Sequence, residues 1–133
     1  MRTTRLCAVL AALCATGLAA PTVVTVATAA DEAAVAPSDV TLTVVTIEYE
    51  GTKIWVPGPI VVQKGNTVTL KLINNVPSEP TEHGFAIPAF GVSAVVTAGT
   101  PETVTFTADR EGIFPLFCQL HPAHVGGQLV VLP

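Results

Sequence analysis

At 133 residues, half of them hydrophobic, with ten acids against six bases, the chain is one domain's worth of protein with a formal net charge of −4. The acidic balance excludes a nucleic-acid-binding surface, which needs a positive face. With only three cysteines and three histidines, each of these residues can be weighed singly.

Arg2 and Arg5 open the chain, Leu6 to Ala20 is apolar, and Ala27-Thr28-Ala29 has the small-residue pattern of a cleavage site. That layout is expected of a secretory signal peptide over residues 1–30. The stretch is short and alanine-rich, which argues against an uncleaved membrane anchor. Cys14 invites a lipoprotein reading, but Leu13 stands where such processing wants a small residue. The protein is therefore expected to be exported, periplasmic or extracellular, with no membrane insertion after signal cleavage. Cleavage removes Cys7 and Cys14 and leaves Cys118 unpaired. The remaining bases are Lys53, Lys64, Lys71 and Arg110, against all ten acids. An odd cysteine in an exported protein needs a reason. Metal ligation is one, and an inert buried thiol is the other.

Residues 31–38 read as a flexible leader, and residues 39–133 as a single β-rich domain. Val, Thr and Ile dominate there, and Gly and Pro punctuate at short intervals. Strands are expected at 40–48, 60–63, 67–73, 84–87, 92–97, 102–108, 113–118 and 128–132. Thr67 to Ile73 and Thr103 to Thr107 alternate apolar and polar residues, which buries one face of each strand. Lys64-Gly65-Asn66 is a turn. Pro115 cannot donate to a ladder, so its position is expected at an edge or irregularity. No helix of useful length is visible. About eight short strands suggest an all-β, Greek-key two-sheet β-sandwich.

The chemistry lies near the C-terminus, in Phe117-Cys118-Gln119-Leu120-His121-Pro122-Ala123-His124. The remaining histidine is His83, with Glu82 beside it as an alternative donor. A soft sulfur with imidazoles suits copper or zinc. Cys plus three His would satisfy tetrahedral zinc, but structural zinc sites usually carry several cysteines, so copper is favoured. Cys118 is expected to end one strand, with His121 and His124 in the connection to the last strand and His83 in a loop before strand 84–87. Phe85, Phe90, Phe114 and Phe117 would shield the sulfur or simply fill the core. No second cysteine remains for thiol exchange. Ser38, Ser78 and Ser93 sit in no nucleophile motif, and no phosphate-binding loop is present.

Val62-Gln63-Lys64-Gly65-Asn66-Thr67-Val68, Gly112-x-Phe114 and Cys118-x-x-His121 resemble the cupredoxin superfamily over roughly residues 39–133. His83-Gly84-Phe85-Ala86-Ile87-Pro88-Ala89-Phe90-Gly91-Val92, Phe106-Thr107-Ala108-Asp109 and Cys118-Gln119-Leu120-His121-Pro122 are similar to the nitrosocyanin-like copper proteins. That group places a ligating Glu where His83 stands, and its second loop histidine lies further along. The short spacing of His121 and His124 resembles amicyanin-type ligand loops, which put an axial Met at the second position. Met1 is the chain's only methionine, so a thioether ligand is missing from the mature chain. The resemblance implies one copper per chain, with Cys118, His121 and His83 equatorial and His124 as the fourth ligand. It further implies one-electron transfer with a redox partner protein. Copper resistance or delivery is the first alternative, and a copper enzyme acting on nitric oxide or superoxide the second.

Overall fold

The computed structural model describes residues 36–133. The expected signal peptide at 1–30, and most of the leader at 31–38, lie outside the described residues.

Nine strands run in order. They are β1 (Asp39–Tyr49), β2 (Thr52–Val56), β3 (Pro59–Gln63), β4 (Thr67–Asn74), β5 (Glu82–Ile87), β6 (Val92–Thr97), β7 (Glu102–Thr107), β8 (Gly112–Leu116) and β9 (Gly127–Leu132). One sheet has the order β2-β1-β4-β7 and a second has β3-β9-β8. The β5–β6 hairpin joins the second sheet through a bridge between Ala86 and Phe117. β1 lies parallel to β4, and β3 parallel to β9, so neighbours in space are distant in sequence. The all-β sandwich expected from the sequence is the fold observed.

The alternating strand behaves as its pattern requires. Val68, Leu70 and Leu72 of β4 are fully buried. They pack in one core with Val44, Ile60, Val62, Phe85, Ile87, Leu116, Leu129 and Val131, drawn from both sheets and the β5–β6 hairpin. Apolar burial on that scale is what holds two sheets face to face. Lys64-Gly65-Asn66 turns as expected. Gly65 takes φ 90°, and the Asn66 side chain accepts from the Gln63 N–H at 2.7 Å. Pro115 sits in β8, an edge strand, where its missing N–H leaves the sheet intact.

Three placements differ from the sequence expectation. β2 is a ninth strand, folded back on β1 through Glu50 and Gly51, whose φ values are 47° and 79°. Two successive positive φ values are the mark of a hairpin turn whose twist matches its strands. β5 starts at Glu82, so His83 lies inside a strand rather than in the loop before it. β8 stops at Leu116, and Cys118 follows two residues beyond it. The chain there leaves the β9 ladder and pairs with β5 through Phe117 instead.

Candidate metal centre

His83, Cys118, His121 and His124 come together, each offering one donor atom, and these atoms all lie within 4.8 Å of one another. Every histidine in the chain and the one described cysteine therefore meet at a single point. Cys118 Sγ lies 3.5 Å from His121 Nδ1. The ring centroids are 5.5 Å apart for His83 and His121, 5.0 Å for His83 and His124, and 4.7 Å for His121 and His124. His83 and Cys118 are buried, and the two loop histidines are half-buried.

Each donor is held by local structure. Asn74, at the end of β4, donates from its side-chain amide to Thr81 O at 2.9 Å and to Val96 O at 3.1 Å, which fixes the approach to β5. Ala86 and Phe117 exchange both backbone hydrogen bonds, at 2.9 and 3.1 Å, and so pin the start of the ligand loop to β5. Gln119 Nε2 donates to Ala94 O at 2.8 Å and ties the same loop to β6. His124 N–H donates to His121 O at 3.0 Å, which closes a turn that sets the two loop imidazoles side by side. Val125 N–H then donates to Lys53 O on β2 at 3.1 Å. Gly84 N–H donates to Cys118 Sγ at 3.2 Å.

The electrostatics favour neutral rings at His83 and His124. Burial pushes the His83 pKa down to about 4, with the neighbouring His124 and His121 and the Lys53 ammonium adding to it. Burial, His121 and Lys53 push His124 down as well. A neutral ring keeps a lone pair for a metal. Both His83 ring nitrogens are buried, and neither has a hydrogen-bond partner among the described residues. A buried polar atom left unmatched costs on the order of 1–3 kcal/mol, so a metal ion on one of these nitrogens fits the site. The donor set of one thiol and three imidazoles suits copper. Glu82, the other candidate beside His83, is exposed and lies 3.5 Å from the Thr97 hydroxyl, outside the cluster. Phe85 is buried against Trp55, while Phe117 is 37% exposed. Phe90 and Phe114 meet edge to face, with the Arg110 guanidinium 5.1 and 5.9 Å from their ring centres.

A cupredoxin-like domain profile matches residues 7–131. The chain belongs to the cupredoxin-like domain family. Cupredoxins bind copper, which agrees with the donor set. Over 56 residues, or 42% of this chain, it is 43% identical to the nitrous-oxide reductase of Cupriavidus necator, of which that stretch is 9%. Over 52% of the chain it is 34% identical to the nitrous-oxide reductase of Pseudomonas fluorescens, of which that part is 12%. The chain thus spans about a tenth of the length of these curated relatives. Copper nitrite reductase from Nitrosomonas europaea superposes with a TM-score of 0.56 at 26% identity, covering 71% of this chain and 42% of that one. Reduced auracyanin from Roseiflexus castenholzii gives a TM-score of 0.58 at 19% identity, covering 72% and 99%, which shows the fold alone.

The sequence missed the residues that support the donors. Trp55, Gly84, Gln119 and the Lys53 backbone touch the ligand segments, and none carries a metal-binding signature. Gly84 had a readable signal, as a glycine inside an apolar strand beside a candidate ligand.

Proposed function

We propose that this chain is an exported mononuclear copper protein that transfers one electron at a time. The observation that carries the reading is the convergence of Cys118, His83, His121 and His124, with the buried His83 nitrogens free to bind a metal. Bound copper would supply a Cu(II)/Cu(I) couple. His83 presents a neutral donor from a strand, and Cys118 presents its sulfur from the loop that follows β8. The backbone bonds at Phe117 and Val125 hold both ends of the ligand loop, so the donors need move little between oxidation states. Small reorganisation favours fast electron transfer. The site resembles nitrosocyanin-like proteins in its motifs and amicyanin-like proteins in its loop spacing, with His124 as a fourth ligand in place of a thioether.

Export follows from the signal-peptide pattern of residues 1–30, which would leave 39–133 as the working domain. Among the described residues, no helix is long and apolar enough to cross a membrane. The partner we propose is a redox protein, met outside the cytoplasm. The test is cyclic voltammetry on the copper-loaded protein. Repeated oxidation and reduction with copper retained supports electron transfer. Passage of copper to a competing acceptor protein during cycling favours delivery instead.

A second reading is carried by the comparisons, since several of the relatives are reductases by name. It is a copper enzyme acting on a small ligand such as nitric oxide or superoxide. It requires a coordination position open to that ligand. A change in the spectrum of the reduced protein on adding nitric oxide would favour it.

A further inference from the structure

Strand β2 grips the chain beside two of the four donors. Trp55 donates its indole N–H to Gly84 O at 2.9 Å, and its ring meets Phe85 edge-on at 5.1 Å. Lys53 O accepts from Val125 N–H, and Ile54 forms a parallel bridge with Val125, the residue after His124. The Lys53 contact is made by backbone and would survive most substitutions. The Trp55 contact depends on the side chain, and Trp55 is the one tryptophan in the chain.

Gly84 explains why that indole matters. In an antiparallel pair, alternate residues turn their N–H and C=O to opposite edges. Ala86 spends both groups on Phe117, away from β6. Gly84, two residues earlier, turns its own groups to the same edge, where the strand pairing has ended. Two side chains complete the edge. Cys118 Sγ accepts from Gly84 N–H at 3.2 Å, and Trp55 donates to Gly84 O. The residue between a ligand and the core is thus clamped between a candidate metal-bound sulfur and an indole. Substituting Gly84 cannot relieve it, because a Cβ there would meet Gln119 Cδ at 2.6 Å and Gln119 N at 3.0 Å.

We propose that Trp55 is a positioning residue of the metal centre. Its indole anchors Gly84, which holds the Gly84 N–H on Cys118 Sγ and His83 within reach of the other donors. This rests on the copper reading above. A hydrogen bond to a thiolate draws charge from the sulfur and stabilises the reduced metal, so such contacts tune potential. Releasing Gly84 should weaken that bond, strengthen sulfur donation and lower the potential.

The test loads the wild type, Trp55→Phe and Val68→Ala with Cu(II). Phe keeps an aromatic ring and removes the donor. Val68 is a fully buried core residue at the opposite end of β4 from Asn74, so Val68→Ala controls for lost stability alone. The expected result is one copper in each protein, with a shifted charge-transfer band, altered EPR parameters and a lower potential in Trp55→Phe only. Identical spectra and potential in Trp55→Phe and wild type overturn the proposal, as does an equal shift in Val68→Ala. A wild type that binds no copper through sulfur refutes the copper reading instead. A readout that needs no variant and no metal is indole N–H exchange into D₂O in the metal-free protein. Slow exchange is expected, and fast exchange overturns the anchoring role whatever Trp55→Phe does.

Discussion

Gly84→Ala probes how tightly the ligand loop is packed onto β5. The new methyl would overlap Gln119 Oε1, and would lie 2.6 Å from Gln119 Cδ and 3.0 Å from Gln119 N. Real Cβ atoms do not approach a carbon at 2.6 Å, so something must move. If the Gln119 side chain swings away, Nε2 loses Ala94 O, a bond worth about 1 kcal/mol. The Gln119 backbone cannot swing, because Cys118 is fixed by the adjacent Phe117–Ala86 pairing. Forcing an added carbon into packed space costs about 1–3 kcal/mol. The gain from replacing a strand glycine by alanine offsets roughly 0.5–1 kcal/mol of this. The expected net loss is about 2 kcal/mol, measured by urea denaturation of the metal-free protein. Gln119→Ala in the same chain removes the side-chain overlap and leaves only the 3.0 Å contact. Gly84→Ala should therefore cost about 1 kcal/mol less in that background. A Gly84→Ala protein as stable as wild type would refute the packing described here, and so would additive effects of the two changes.

His83→Ala should weaken copper binding by at least the ~10–100-fold expected for losing an outer-shell partner, while Glu82→Ala leaves it nearly unchanged; competition titration against a chelator ranks the two. The reverse ranking would make the site carboxylate-ligated. His124→Met should raise the reduction potential, because a thioether favours Cu(I) over Cu(II) more than an imidazole does, and voltammetry reads the change directly. An unchanged potential and colour would remove His124 from the ligand set. The metal-free protein should lose stability as pH falls from 6.5 through 4. Unfolded His83 takes up its proton near 6.5 and the folded residue only near 4, so acid favours the unfolded chain. The contribution is complete above pH 6.5, and its loss on acidification is on the order of 3 kcal/mol. His124 acts in the same direction. Urea midpoints across that range, compared with His83→Ala, show whether the slope belongs to His83.

The β-sandwich was legible wherever a strand had one wet face. Thr67–Asn74 and Glu102–Thr107 alternate because one side of each faces the core. β2 was not legible, because five residues carrying Lys53 show no clean alternation. Its turn also uses Glu50, a residue that seldom takes a positive φ. Losing β2 hid Trp55 from the site as well. The donors themselves were readable, since a lone thiol and three imidazoles have few other uses together. What holds them was not, because the Gly84–Cys118, Gln119–Ala94 and Trp55–Gly84 contacts join segments separated by 25 to 34 residues. His83 was placed too early for a related reason. β5 runs on from its apolar Phe85–Ile87 run through Gly84 and the buried His83, which pairs with the buried Val96, to the exposed Glu82, and a polar side chain gives no sign of such burial.

Copper loading of the wild type beside Cys118→Ser tests the copper–thiolate assignment most directly. Visible absorption and EPR should show one Cu(II) in the wild type, with strong thiolate-to-copper charge transfer. The Ser variant should lose that absorption while its far-ultraviolet circular dichroism stays β-rich. An intact visible spectrum in Cys118→Ser, or a wild type that binds Cu(II) without any sulfur charge transfer, would contradict it.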